Sequence, residues 1–420
     1  MVKKKKRNIV VLGSGFAGIR AVQDLANNLE DKNYQIILVN KYHSHVFKAD
    51  LYEVAAAYNE EITKECLINL KDTVATRITD LIDEKKVEFI CDKVVDINHQ
   101  DRKIILKEGG DLHYDYLAVC LGTRTNYFNI PGLKENSFGM IGLTDSLAVN
   151  CHIDHYFQKL WGKDITKNIH INIGGGGATG VETVSELVGC IKRICAKYNF
   201  SYKQVKLQLI EGSDKLCFLD KKGTDILLKR LRKLGVKVFM NTFITEAGKN
   251  FVKVKSDGKV KKLDSNILIW TGGVMVNPVV QKSIGDQSKR GAVLVNPYMQ
   301  SYVDRNIFAA GDNAFFPDSE GNRMPMMAQA AYHQADIMAK NIINLTKGKE
   351  MKKYKPSGMK YLITVGSKFA LYYDGKRYLK GFIPWLLKRF VYFKYMWSIM
   401  SFGKAYRKLH HSMKIFAEND

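Results

Sequence analysis

Twice in this chain a short apolar run breaks into a glycine loop and resumes as a helical pattern, and that repetition restricts the possible folds severely. The first copy reads Asn8-Ile-Val-Val-Leu12, then Gly13-Ser14-Gly15-Phe16-Ala17-Gly18, then Ile19-Arg-Ala-Val-Gln-Asp-Leu25. The second reads Ile169-His-Ile-Asn-Ile173, then Gly174-Gly175-Gly-Gly177-Ala-Thr-Gly180, then Val181-Glu-Thr-Val-Ser-Glu-Leu187. Apolar runs of this length read as buried parallel strands, and the spacing after each loop reads as an amphipathic helix. Strand, G-x-G-x-x-G and helix, in that order, describe a cradle for a pyrophosphate. The glycines allow a tight turn and close approach, while the helix N-terminus offers amide donors to an anion. A lone loop of this kind could be a glycine-rich turn without a ligand. Two in the same context predict an α/β chain with two Rossmann-like dinucleotide-binding domains.

The strand after each cradle carries a second signal. Lys206-Leu-Gln-Leu-Ile210 ends in Glu211, where a carboxylate would accept from a ribose 2′-hydroxyl and repel a 2′-phosphate. The second cradle is therefore expected to take NADH in preference to NADPH. Gln35-Ile-Ile-Leu-Val39 ends instead in Asn40-Lys41, an amide where the general pattern has an acid. Two nucleotide sites in one chain imply a relay between a prosthetic flavin and a diffusible hydride donor. Tyr114–Thr123 and Asn266–Gly273 read as strands ending in Gly/Thr turns, and Asn306-Ile-Phe-Ala-Ala-Gly-Asp312 puts an acid where it could reach a flavin's ribityl or pyrophosphate part.

Composition adds a partner class. The 420 residues are too many for one ordinary core, and Lys and Arg outnumber Asp and Glu by 65 to 42, a net charge of +23. Such a surface is attracted to nucleic acid or to anionic lipid headgroups. Between Lys376 and Lys414 there are ten Lys/Arg and no acid, interleaved with Phe382, Ile383, Leu386, Phe390, Trp397 and Met400 among others. This predicts an amphipathic helix, or a pair, lying in a bilayer interface, with its cations largely among headgroups. No nucleic-acid-binding fold accompanies the stripe, so a nucleic-acid partner is not expected. No apolar stretch is long enough for a spanning helix. The seven cysteines form no CxxC and no finger-like set with histidines, which predicts small buried side chains, no disulfide framework and no metal site. The basic start, Lys3 to Arg7, superficially resembles a signal peptide, but the glycines that follow have a better use. It is read as a retained, solvated end.

With these residues assembled, the chain resembles the two-dinucleotide-binding-domain flavoproteins over residues 7–345, and within them the type II NADH dehydrogenases. The resemblance rests on Val39-Asn-Lys-Tyr-His43, Asp50-Leu-Tyr-Glu-Val-Ala-Ala56, Gly177-Ala-Thr-Gly-Val-Glu182, Ile269-Trp-Thr-Gly-Gly-Val274 and Ala328-Gln-Ala-Ala-Tyr-His-Gln334. It implies a tightly bound FAD held by Gly13, Ser14, Gly15, Phe16, Ala17, Gly18, Asn40, Lys41, Val94 and Asp312, with Gln329, Ala330 and Lys388 near its ring. It implies NADH on Gly175, Gly177, Gly180, Glu211 and Gly272, quinone near Gln329, Gln334 and Val391, and Glu182 as the catalytic glutamate. The implied domains are 1–124 with 272–345 for FAD, 125–271 inserted for NADH, and 346–420 as a membrane-anchoring region. The implied activity is NADH oxidation with two-electron reduction of a membrane quinone, without proton pumping, by a respiratory homodimer on the cytoplasmic side of the cell membrane. Among related activities, sulfide:quinone oxidoreduction needs a late redox cysteine, and the last cysteine here is Cys217. A disulfide reductase needs a pair within 40–60, where there is none. A reductase for a protein electron carrier is the remaining alternative.

Overall fold

The computed structural model describes residues 6–286, 290–317, 326–356, 358 and 360–416, so Lys3, Lys4 and Lys5 of the basic start lie outside the described residues. Ile9, Val10, Val11 and Leu12 are wholly buried, as are Ile171 and Ile173. Each run lies mid-sheet with a parallel neighbour on both sides, and such strands hide both faces, which is why they read as continuous apolar runs. By packing, the chain divides into two units.

The first unit comprises Met1–Phe47, Ala75–Arg124 and Met275–Ser357. Its parallel sheet runs in the order Ile307–Ala309, Tyr116–Val119, Arg7–Leu12, Tyr34–Asn40, Val87–Cys91. Helix Phe16–Asn28 crosses from the central strand to the next and packs against helix Ala328–Thr346. Arg20 ties the two helices together, 3.0 Å from Asp24 and 2.6 Å from Asp336. Burial, with Asp336 close by, pushes the Asp24 carboxyl up to about 7.

The second unit comprises Lys48–Val74, Thr125–Val274 and Gly358–Asp420. Its parallel sheet runs Phe138–Gly139, Ile267–Trp270, Ile169–Gly174, Val205–Ile210, Lys237–Phe239. Helix Ala178–Lys197 makes the same crossover. The two sheets thus repeat one strand plan, except that a late segment supplies the first unit's edge strand and an early one the second's. In each, strands run out to either side of the glycine-loop strand, the position at which doubly wound sheets bind ligands.

The packing departs from the expected segmentation in two places. Residues 48–74 join the second unit, where Tyr52, Ala55 and Ala56 enter a core built on Ile171, Val184 and Leu207. The tail joins it too: Ile363, Val365 and Leu371 belong to that core, and helix Phe382–Ile399 follows directly on strand Tyr378–Gly381. Helix Phe402–Phe416 is the last element among the described residues. Among the described residues no helix is long and apolar enough to cross a membrane.

Candidate active site

The glycines of each loop separate into two kinds. Gly13 has φ +93°, and a Cβ there would stand 2.4 Å from the Cys120 carbonyl oxygen; one on Gly18 would stand 1.7 Å from the Gly13 oxygen. The polypeptide itself forbids side chains at both. Gly15 differs: its φ is −70°, and nothing lies within 4 Å of where a Cβ would be. The second loop repeats this. Gly175 (φ +106°) would meet Gly272 at 2.5 Å and Gly180 would meet the Gly175 oxygen at 1.9 Å, while Gly177 would meet nothing within 4 Å. Gly15 and Gly177 are also the N-caps of their helices, with no side-chain cap and no acid in the first turn. A helix start without a side-chain cap and with a bare approach fits a phosphate. Both loops have the geometry of a pyrophosphate cradle.

Strand ends hold each loop from behind. Asn40 Oδ1 accepts from the Ser14 amide at 3.1 Å. Glu211 accepts from the Gly176 amide at 2.5 Å and from the Ser213 amide at 2.7 Å. Ser14 and Gly176 are the second residues of their loops, so amide and carboxylate do the same local work. Asn40 can stand where an acid is usual because the loop needs only an acceptor there.

Glu182 is the fifth residue of its helix, past the first turn, so it is not a carboxylate resting on the helix dipole. It is buried, and its Oε1 accepts from Lys388 Nζ at 2.5 Å and from the Thr364 amide and hydroxyl at 3.2 Å each. Lys388 also donates to Thr364 Oγ1 at 3.0 Å and sits 4.5 Å over the Tyr52 ring. The Thr364 hydroxyl lies 2.7 Å from that of Tyr52, which donates to Glu53 at 2.9 Å. Arg389 closes the cluster, forked on Glu53 (one arm at 3.1 Å) and 3.9 Å from Asp50. Burial raises the Glu182 carboxyl against the pull of Lys388.

The sequence profile of the pyridine nucleotide-disulphide oxidoreductases matches residues 7–335. The chain belongs to this family. Curated relatives include proteins named type II NADH:quinone oxidoreductase. That of Staphylococcus epidermidis is 27% identical over 410 residues, covering 96% of this chain and 98% of the relative. That of Staphylococcus aureus is 25% identical over 408 residues, covering 96% and 98%. Among solved structures, NDH2 from Plasmodium falciparum in complex with NADH superposes with TM-score 0.83 at 18% identity, covering 99% of this chain and 98% of that one. A sulfide:quinone oxidoreductase from Aquifex aeolicus reaches TM-score 0.76 at 17% identity, covering 94% and 91%. These likenesses establish the fold: two Rossmann-type nucleotide domains.

The family is named for a redox disulfide, yet this chain has no cysteine pair in the segment after the first cradle. Cys120, Cys190, Cys195 and Cys217 are buried, and burial raises each thiol. The remaining expected residues are distributed as follows. In the first unit Thr123 Oγ1 lies 3.4 Å from Asp312, and Gly122 donates to Asn313 at 2.8 Å. Gln334 is buried with its Oε1 accepting from the Gly311 amide at 2.8 Å, so it braces the turn that carries Asp312. Gln329, exposed, and Ala330, half-buried, open the same helix; Lys41 is exposed, and Val94 is buried at a strand start. In the second unit Gly272 backs Gly175, and Val391 is exposed on the tail helix. Of the basic residues expected among the tail's apolar ones, Lys394 is exposed, but Lys388 and Arg389 turn inward. Sequence reasoning missed Asp50, Tyr52, Glu53, Thr364 and Arg389 as parts of the cluster. The Asp50-Leu-Tyr-Glu motif was visible, but nothing in it points to a partner more than three hundred residues away.

Proposed function

We infer that this chain is a type II NADH:quinone oxidoreductase, taking electrons from NADH through FAD to quinone. The observation that carries this reading is the pair of cradles, each with a middle glycine that the protein's own packing leaves unexplained. Relatives of that name, matched over nearly their whole length, support the same activity. When bound, FAD supplies the redox chemistry, accepting hydride and passing two electrons on.

The residues divide the remaining work. Gly13 to Gly18 bind the flavin's pyrophosphate, with Asn40 and Lys41 at its ribose, the Val94 backbone and Asp312 along its length, and Gln329, Ala330 and Lys388 toward its ring. Gly175, Gly177, Gly180 and Gly272 admit NADH, and Glu211 selects it over NADPH. Glu182, on Lys388, holds or moves a proton at the reacting ring. Gln329 and Val391 meet quinone, and Gln334 keeps Gly311 and Asp312 in place. By their motifs, 1–124 with 272–345 would serve FAD, 125–271 NADH and 346–420 the membrane, although residues 48–74 and the tail pack with the second unit.

The tail supports a membrane setting by its orientation. Helix Phe382–Ile399 buries Lys388 and Arg389 while leaving Phe382, Ile383, Leu386, Phe390 and Trp397 exposed, the reverse of a helix facing water. We read it as a peripheral anchor on an anionic, cytoplasmic membrane face, in a homodimer of the respiratory chain that moves no ion across the bilayer. The test is anaerobic mixing. NADH should bleach the flavin spectrum of the purified protein, and a short-chain quinone should restore it. Bleaching without restoration by quinone would turn the assignment toward a protein electron carrier.

A further inference from the structure

The buried cluster holds more acid than base. Asp50, Glu53 and Glu182 are three carboxyls; Lys388 and Arg389 are the only basic side chains among them in the described residues. Glu182 is paired with Lys388 and Glu53 with Arg389. Asp50 is left over. It is 2% exposed, its nearer approach to Arg389 is 3.9 Å, beyond hydrogen-bond range, and its Oδ1 has no partner. An ionised carboxylate so placed, beside a second carboxylate, is strongly disfavoured.

The groups around it come from four elements: Tyr52 and Glu53 on helix Leu51–Ala55, Glu182 on helix Ala178–Lys197, Lys388, Arg389 and Tyr392 on helix Phe382–Ile399, and Thr364 on strand Tyr361–Thr364. Tyr392 is turned away and donates to the Thr73 carbonyl at 2.9 Å. From Glu53 to Glu182 runs an unbroken hydroxyl chain, with Tyr52 at 2.9 Å from Glu53, Thr364 at 2.7 Å from Tyr52, and Glu182 at 3.2 Å from Thr364.

We propose that the Asp50–Glu53 carboxyl pair stores one proton for the reaction and exchanges it with the Glu182–Lys388 pair through the Tyr52 and Thr364 hydroxyls. Resting on the quinone reading above, the balance is NADH + H⁺ + quinone → NAD⁺ + quinol. Hydride brings two electrons and one proton, so the second proton must come through the protein. The Tyr52 hydroxyl, which at rest donates to Glu53, turns toward Thr364, and that of Thr364 toward Glu182; one carboxyl O–H of the storing pair then breaks, each hydroxyl passes its hydrogen one place, Glu182 takes the last, and the pair is left as two carboxylates facing Arg389. Water restores the proton before the next turnover. Burial first, then the charge of Glu53, pushes Asp50 up to about 7, consistent with a group that gives and regains a proton near neutrality.

The experiment uses the flavin-loaded full chain and its Asp50→Asn, Asp50→Glu and Tyr52→Phe variants. In the infrared difference between the resting wild type and Asp50→Asn at pH 6, a protonated-carboxyl band that shifts in heavy water should appear, while the Asp24 carboxyl, protonated in both, cancels. NADH oxidation is then measured with a short-chain quinone, which needs a proton, and with ferricyanide, which does not. The ratio of the two rates should fall on the order of 10²-fold in Asp50→Asn and Tyr52→Phe, with Asp50→Glu recovering most of it; normalising to ferricyanide removes any loss of folding or flavin. A ratio within about twofold of wild type in both variants, or a difference spectrum without that band, overturns the proposal. A wild-type protein that reduces ferricyanide but no quinone overturns the functional reading instead.

Discussion

Gly13 and Gly15 stand two residues apart in one loop, yet they are glycines for different reasons, and substitution separates them. Gly13→Ala puts a Cβ into the left-handed region and against the Cys120 carbonyl, costing on the order of 3 kcal/mol and reducing soluble, folded protein. Gly15→Ala meets no protein atom within 4 Å, so the apo-protein should unfold within about 0.5 kcal/mol of wild type while flavin retention falls sharply. Denaturant melts of apo-protein together with flavin absorbance decide the matter. Retention equal to wild type in Gly15→Ala would remove the phosphate from that loop. Glu211 allows a cleaner test than its position alone implies. Because its two oxygens hold the Gly176 and Ser213 amides, Ala would also loosen the loop, whereas Gln keeps an acceptor there. Glu211→Gln should narrow the NADH-to-NADPH ratio of kcat/KM on the order of tenfold, about 1.4 kcal/mol. An unchanged ratio would assign the selectivity elsewhere.

At the scale of elements the tail helix Phe382–Ile399 has two faces with opposite demands. Its inner face supplies Lys388 and Arg389 to buried carboxyls, so cutting the chain after Gly358 would strip Asp50, Glu53 and Glu182 of their cations. Breaking a buried ion pair costs about 3–5 kcal/mol, so truncation would unfold the second unit rather than test its outer face. Point changes on that outer face do test it. Ile383 is 75% exposed, and Asp there should leave thermal stability nearly unchanged while weakening co-sedimentation with anionic vesicles. Lys394→Glu should weaken it by about 1 kcal/mol. High salt should reduce wild-type binding without abolishing it, because screening acts on the headgroup attraction and not on apolar insertion. Vesicle binding by Ile383→Asp equal to wild type would place the membrane contact on another surface.

Over the whole molecule, each unit carries one carboxyl pushed up to about 7, Asp24 in the first and Asp50 in the second, both chiefly by burial. The folded chain keeps these protons where the unfolded chain, with its carboxyls near 3.8, has lost them. Their contribution to stability is full below about pH 4 and is lost as pH rises through 7. Asp50→Asn cannot lose a proton, so its melting temperature should gain on wild type steadily from pH 4.5 to 7 and then run parallel. A gap that is constant over this range would mean that Asp50 is ionised in the fold throughout. The net charge of +23 acts differently. It sets which surfaces attract the protein and how salt weakens that attraction, without choosing the fold.

What short-range chemistry controls could be read along the chain. The two apolar runs, the spacing of Gly13, Gly15 and Gly18 and of Gly175, Gly177 and Gly180, and the strand ends at Asn40 and Glu211 all lie within one strand–loop–helix unit. Backbone sterics and helix-end hydrogen bonding specify such a unit locally. The apolar face of the tail was legible for the same reason, since helical spacing places Phe382, Leu386 and Phe390 close together without knowledge of the fold. Where the charges of the tail point, and the packing of residues 48–74 with the second unit, emerge with the fold. It also drew Asp50, Tyr52, Glu53, Glu182, Thr364, Lys388 and Arg389 into one buried cluster. Their chemistry depends on desolvation and on the imbalance of three carboxyls against two cations. Both are properties of a place in the fold to which four separate chain segments contribute, so no spacing rule along the chain encodes them.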